Sequence, residues 1–419
     1  MASTPWESLT PDQQNLIQPA LEEPCSPVWH VPDTVTELAE VVRTVTAQHQ
    51  AILPMGSGSK LHWGGLGKPV QQVISTSSLN QVIDHDVSDL TVTVEAGVKF
   101  QDLQYLLQAK RQFLPIDPAY PEQATLGGIL ATADTGSWRQ RYGGLRDLVL
   151  GISFVRWDGQ VAKAGGRVVK NVAGYDLMKL FTGSYGTLGI VSQMTLRLYP
   201  SPATSQTLWL SGETSALAIA AQRLLTSGLA PTAADLLSAS LAQSLDLGDS
   251  GGLLVRFQGI AVSVQEQSQQ LQAIAQVLDL NQQSLIDKAE QELWTQLRRT
   301  TTEINPETQV FCKIGLQPSQ SVNFLAQCPG LGQIHLNTGL GRFVLPFGDL
   351  EKSRQQLRQQ RDRCEQAQGF LTILAAPRDL KNAFDLWGYA GNALPLMEKL
   401  KQQFDPQNSF SPGRFVGGI

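Results

Sequence analysis

A chain of 419 residues is long enough for two or three domains, and 42% hydrophobic with 7% aromatic residues excludes a disordered protein. Its net charge of −5, without a long basic run, gives nucleic acid or an anionic membrane no electrostatic support as a partner. The four cysteines, Cys25, Cys312, Cys328 and Cys364, form no CxxC pair, so no zinc site or iron–sulfur cluster is suggested and a reducing compartment fits. The N-terminal residues lack the basic start and apolar core of a signal peptide, and no apolar run is long enough to span a bilayer. A soluble, cytoplasmic protein is expected, with no metal site and no transmembrane segment.

In chain order, residues 1–27 carry five prolines (Pro5, Pro11, Pro19, Pro24, Pro27) and read as an irregular arm. Thr34-x-x-Glu37 is a capping-box pattern, and Val35, Leu38, Ala39, Val41, Val42 and Val45 recur at helical spacing, which predicts a helix of about fifteen residues. Strands are expected at 51–53, 70–75 and 90–96, a helix at 100–109 and an extended piece at 113–116. A glycine-opened helix start stands at 125–133. Asp158-Gly159 between 152–157 and 160–164 is the strongest hairpin signal in the chain. Residues 165–190 hold six glycines around a short apolar helix pattern at Leu177, Met178, Leu180 and Phe181, and a strand follows from Ile190. Pro200 and Pro202 punctuate the chain, and a domain boundary is placed near 203.

The second half alternates strand-like segments at 207–210, 253–257, 310–316, 334–337 and 370–375 with polar helices at 215–225, 264–278, 289–297 and 350–368. That pattern predicts an antiparallel sheet with helices on one face, an α+β domain. The glutamine-rich stretch 265–283 keeps a helical stripe of Val264, Leu271, Ile274, Ala275 and Leu278 and reads as a solvated helix face.

Three glycine-rich turns, 54–60, 125–133 and 183–189, crowd the first domain. Consecutive backbone N–H groups in a Gly-Ser-Gly-Ser turn make an anion-binding nest, and the Gly127-Gly128 helix start is expected to add further unpaired N–H groups. Together they suit a pyrophosphate, although neither GxGxxG nor GxxxxGK[ST] is present.

PMGSGSK (54–60), LTVTVEAG (90–97), ATLGGILATADTG (124–136) and GSYGTLGI (183–190), in that order, resemble the FAD-binding oxidoreductases of the vanillyl-alcohol-oxidase/p-cresol-methylhydroxylase (PCMH) type. The resemblance covers roughly residues 28–200. Within the family, 142–152, 165–190 and the FDPQNSFSPGRF tail most resemble the E-type FAD-binding subunits of bacterial glycolate oxidase.

The resemblance implies an α+β chain: a two-subdomain PCMH-type FAD-binding domain at 28–202, an antiparallel-sheet-plus-helices cap domain at 203–380, and a C-terminal segment, 381–419, that packs back on the FAD domain. It implies that Pro54, Met55, Gly56, Ser57, Gly58, Ser59 and Lys60 cradle the FAD pyrophosphate. Thr125, Leu126, Gly127, Gly128, Thr132 and Ser137 would line the cofactor's other side, and Ile190 would meet it through its backbone. Ser59 stands where some relatives carry a histidine bonded to the flavin; serine cannot form that bond, so non-covalent, dissociable FAD is expected. His62 is an alternative attachment point or simply a satisfied loop histidine.

The implied activity is a multi-subunit 2-hydroxy-acid oxidase taking glycolate to glyoxylate. A homologous flavoprotein subunit and an iron–sulfur subunit would be its partners, and any membrane association would come through them. The second half holds one histidine, His335, where relatives that oxidise 2-hydroxy acids show a cluster of histidines and a glutamate, and Tyr185 replaces the glutamate of the family's GSEGTLGI. The catalytic base is therefore open. Tyr175 and Lys170 are candidates to face the flavin ring, with packing roles as the alternative, and Arg414 is a candidate partner for a substrate carboxylate or a surface arginine. A stand-alone FAD-dependent oxidoreductase of another substrate, or a flavin-binding subunit that is structural or relays electrons, are the rival readings.

Overall fold

A computed structural model describes residues 3–166, 174–389 and 391–419. The chain divides into two compact units: Met1–Thr135, Gly144–Ser201 and Tyr389–Ile419 form the first, and Gly136–Gly143 with Pro202–Gly388 form the second. The second is thus inserted into the first, and it claims residues 136–143, which lie inside the stretch expected to be one FAD-binding domain. The reason is local: Ser137, Gln140 and Arg141 hydrogen-bond to Gln333, Asn337 and Ala230 of the second unit.

The first unit holds two sheets. One has the order β1-β2-β4-β3, where β1 is Ser3–Thr4, β2 Val28–His30, β3 Ile52–Met55 and β4 Gln72–Ser75; β2 and β3 both run parallel to β4. The other is antiparallel with the order β5-β6-β10-β8-β9: β5 Val82–Asp86, β6 Thr91–Glu95, β8 Val149–Val155, β9 Val161–Gly165 and β10 Ile190–Arg197. A short pair, β7 (Gln112–Phe113) with β11 (Tyr199–Pro200), accompanies it.

The helix Val35–Ala47 sits where the two sheets meet. Thr34 caps it by accepting the Glu37 N–H at 3.1 Å, and its Leu38, Val42 and Val45 pack with Ile52 and Ile74 of one sheet and Val155 and Ile190 of the other. Burying such a side chain is worth ~1.5–3 kcal/mol, so this seam adds to the unit's stability. The Asp158-Gly159 turn joins β8 to β9, and Gly159 (φ +74°) also lies so close to the helix that a Cβ would meet Ala39 O at 2.6 Å.

The N-terminal arm is not wholly irregular. Pro11–Ile17 is helical, because Thr10 and Gln13 make a capping box and Pro11 takes a first-turn position where its missing N–H is harmless.

The second unit is built on one eight-stranded antiparallel sheet, order β15-β12-β14-β13-β17-β18-β16-β19. Its strands are β12 Thr204–Ser211, β13 Ala233–Leu237, β14 Gly252–Gly259, β15 Asn281–Ile286, β16 Gln309–Gly315, β17 Leu331–His335, β18 Leu340–Pro346 and β19 Phe370–Ala375. Helices cover both faces rather than one. Leu208, Leu236, Val255 and Phe343 meet Thr214–Thr226, Ala261–Val277 and Leu350–Gln366, while the alternate residues Trp209, Leu237 and Leu254 meet Ala239–Ser244 and Asp287–Thr302. Among the described residues no helix is long and apolar enough to cross a membrane.

Candidate functional site

The loop after β3 is shaped by its neighbours. Met55 O accepts from Thr76 N at 2.9 Å and Gly56 O from the Ser75 hydroxyl at 3.1 Å, which fixes where the chain leaves the sheet. Gly56 lies against the helix start at Thr125, where a Cβ would stand 2.0 Å from Thr125 Oγ1, and Gly58 takes φ +83°. The backbone N–H groups of Ser57, Gly58 and Ser59 donate to no acceptor among the described residues. These are the consecutive uncommitted donors that the sequence led us to expect.

The second expected row does not exist. In the helix Leu126–Thr132 the first three N–H groups are all used: Leu126 donates to Val98 O, Gly127 to Ala96 O and Gly128 to Thr125 Oγ1. The tight approach of Gly127 to Ala96, with a Cβ only 3.0 Å from the Ala96 Cβ, shows that this glycine serves packing. The third turn closes over the far end of the same helix, through Gly183 N to Leu130 O at 2.9 Å and Tyr185 N to Ala131 O at 2.8 Å. Gly186 (φ +72°) then brings the chain against Pro54.

These segments line a half-open cleft with a cavity of about 100 Å³. Of the expected cofactor residues, Pro54, Met55, Gly56, Ser57, Gly58, Ser59, Lys60, Thr125, Gly127, Gly128, Thr132 and Ile190 line it. Leu126 does not: it is fully buried in the core behind the helix. Nor does Ser137, which belongs to the second unit and accepts a hydrogen bond from Gln333 Nε2 at 3.0 Å. Tyr175 is 88% exposed and off the wall. Lys170 lies outside the described residues. His62 is half-buried off the wall, edge-on to Tyr120 and Trp63.

Two cations stand on the wall. Lys60 Nζ is 2.7 Å from Asp134 Oδ2, and both side chains are buried. Arg414, 3% exposed, is not a surface residue: its guanidinium donates to the carbonyls of Ala20 (3.2 Å), Leu61 and Trp63 (3.0 Å). Burial pulls its pKa down to about 10, with Tyr185 pulling the other way, so it remains a cation at neutral pH. Burial pushes the Tyr185 phenol up against the pull of Arg414, so Tyr185 is neutral there; its ring packs on Phe415. Sequence reasoning missed Thr76, Phe181 and Val191 as wall residues, whereas Ala131, Ser184 and Tyr185 lie within the glycine-rich turns it singled out but were not named individually as cofactor contacts.

The second unit carries its own buried polar groups. His335 Nδ1 lies 2.6 Å from Asp235 Oδ1, and Gln333 Nε2 donates to Asp235 Oδ2 at 2.8 Å. Asp235 sits in the apolar run AADLL, which hid it from sequence reasoning. Among the described residues no group of three or more His, Cys, Asp or Glu could hold a metal ion.

Residues 28–165, most of them in the first unit, match the family model described as FAD binding domain. The chain is similar to glycolate oxidase subunit GlcD of Bacillus subtilis (36% identical over 178 residues, 42% of this chain and 38% of that one) and to glycolate oxidase subunit GlcE of Escherichia coli (34% over 173 residues, 41% and 49%). It is also similar to the mitochondrial cytochrome D-lactate dehydrogenase of Arabidopsis thaliana (30% over 259 residues, 59% and 45%). The chain spans less than half the length of each of these relatives. In fold it resembles an alkyldihydroxyacetonephosphate synthase, with a TM-score of 0.67, 17% identity and coverage of 93% of this chain and 77% of that one.

The wall fits FAD on its own chemistry. It offers three uncommitted backbone donors, a glycine that lets a ligand approach the backbone, and a buried cation, the set that a diphosphate needs.

Proposed function

We propose that this chain is the FAD-binding subunit of a multi-subunit 2-hydroxy-acid oxidoreductase, with glycolate as substrate and a homologous flavoprotein and an iron–sulfur subunit as partners. The observation that carries the reading is the cavity whose wall is the loop 54–60, in a stretch that matches an FAD-binding domain. The hydroxy-acid class is supported by relatives named for glycolate oxidase and D-lactate dehydrogenase. The partners follow the sequence resemblance.

In this reading residues 54–60 hold the diphosphate through the amides of Ser57, Gly58 and Ser59. Thr125, Gly127, Gly128 and Thr132 form the opposite wall, and Ile190 meets the cofactor through its backbone. Bound FAD supplies the acceptor for a hydride from the substrate C–H. Phe181 and Val191 keep part of the cavity apolar and limit water there. Ser59 offers no nitrogen for a covalent link, so the cofactor dissociates.

A second reading, in which the chain binds flavin while a partner carries the reaction, is favoured by Tyr175, which stands in solvent instead of on the wall.

Purified chain reconstituted with FAD should show a flavin spectrum whose colour passes to the supernatant on acid precipitation. Anaerobic glycolate should then bleach it, alone or with the partner subunits present. A chain that takes up no FAD would end the cofactor assignment, and bleaching by D-lactate or another 2-hydroxy acid but not by glycolate would reassign the substrate.

A further inference from the structure

Resting on the FAD reading, we infer that Arg414 is the counter-charge for the cofactor's diphosphate and not a partner for a substrate carboxylate. Its position is tied to the phosphate loop itself. Two of its three carbonyl acceptors, Leu61 and Trp63, follow directly on residues 54–60, so the guanidinium and the amides of Ser57, Gly58 and Ser59 are held as one piece.

The charges of the wall leave one cation over. Lys60 is matched by Asp134, and that carboxylate also accepts the Ala119 N–H at 2.8 Å. Two other buried cations have carboxylates too: Arg256 has Glu290 at 2.9 Å, and Lys401 has Asp405 at 2.6 Å. Arg414 has none within ion-pair distance among the described residues, and its neighbour Tyr185 is a neutral phenol. A buried charge without a counter-charge is costly, and a bound anion removes that cost. The three carbonyls occupy one Nη1 hydrogen and both Nη2 hydrogens. The Nε–H and the second Nη1 hydrogen stay available for phosphate oxygens.

A substrate carboxylate could use the same two donors, but it would leave the phosphates with the loop amides alone. The adjacency to Leu61 and Trp63 favours the diphosphate.

The test titrates the full-length apo-chain with FAD, with ADP (the diphosphate without a flavin) and with riboflavin (the flavin without a phosphate). The expected result is that Arg414→Gln weakens FAD and ADP alike, on the order of tenfold to a hundredfold, as a lost charge-assisted bond would, and leaves riboflavin unchanged. Because Arg414→Gln also uncaps three carbonyls, Arg414→Lys is the second variant. It loses the same guanidinium bonds but keeps a cation on the wall, so it should bind ADP measurably more tightly than Arg414→Gln. Unchanged ADP affinity in Arg414→Gln overturns the inference, as does an Arg414→Lys that binds ADP no better than Arg414→Gln, or a riboflavin loss that equals the FAD loss. A wild-type chain that binds FAD while these variants behave like it refutes the Arg414 role alone. A wild-type chain that binds neither FAD nor ADP removes the cofactor reading and this inference with it.

Discussion

Replacing Lys401 with methionine probes how the C-terminal segment holds the cavity. Lys401, in the helix Leu394–Phe404, donates to Asp405 Oδ2 at 2.6 Å, Phe410 O at 2.8 Å and Thr187 O at 2.9 Å. One ammonium thus ties the glycine turn 183–189 to the segment that pairs with β3, through Ile52 N to Ser409 O (2.7 Å) and Ser411 N to Ile52 O (2.8 Å). Methionine keeps most of the volume and removes the charge, leaving the Asp405 carboxylate buried. Removing one partner of a buried pair costs ~3–5 kcal/mol. Asp405 still accepts from Ser409 N at 3.0 Å and Phe410 N at 2.7 Å, which places the loss at the lower end, about 3 kcal/mol. At ~2–4 °C per kcal/mol for a unit of this size, the first unit should melt about 6–12 °C lower. Calorimetry of the apo-chain measures this, with Lys288→Met, at an exposed helix position, as the control. A shift no larger than that of the control would refute the reasoning, because it would mean that the ammonium's three bonds are replaced by packing.

Gly56→Ala places a methyl 2.0 Å from Thr125 Oγ1 and 3.0 and 3.1 Å from its Cβ and Cγ2, so rotating the threonine brings no relief. The loop must retreat, at a cost of about 1–3 kcal/mol, and flavin-fluorescence titration should show FAD binding weakened about tenfold; wild-type affinity would show that the close approach is dispensable. Glu290→Gln strands Arg256 and weakens the bonds from Ser205 and Thr207, so the second unit should lose about 3 kcal/mol in urea melts while FAD affinity holds; a parallel loss of FAD affinity would contradict the assignment of this network to structure alone. For the thiols, burial pushes Cys364 up to about 12 from an unfolded value of 9.0. The folded state therefore keeps a proton that the unfolded chain releases, and the stability this confers is full below pH 9 and declines between pH 9 and about 12. Urea midpoints on either side of pH 9 should fall less in Cys364→Ala than in the wild type, and equal slopes would contradict the shift.

What could be read from the sequence was local. The capped helix after Thr34, the Asp158-Gly159 hairpin and the loop 54–60 follow from rules that span a few residues, and the structure shows each. What escaped depends on distant partners or on missing periodicity. Strand β15, NQQSLI, is exposed at every position but Leu285 and shows no alternation; it exists because β12 offers it an edge. Strand β13, AADLL, is buried throughout, which leaves no period to read, and β18 is interrupted by Gly341. The filled helix start at Gly127-Gly128 was missed because its acceptors, Ala96 and Val98, belong to another segment. Arg414 was read for its chemistry alone, since the carbonyls that fix it lie 351, 353 and 394 positions away.

Those separations bear on the order in which the molecule is made. Residues 28–165, the stretch that carries the FAD-binding match, are made before Pro202–Gly388, whereas Arg414 and the strand-like pairing of 409–411 with Ile52 come after the whole of it. At ~5–20 residues per second, synthesis of that insertion takes on the order of ten to forty seconds. During that time β3 has one edge without its late partner, and the loop 54–60 lacks the arginine that donates to Leu61 and Trp63. If that arginine is the diphosphate's counter-charge, as proposed, a nascent chain stalled within the second unit would hold FAD more weakly than one that has passed residue 414.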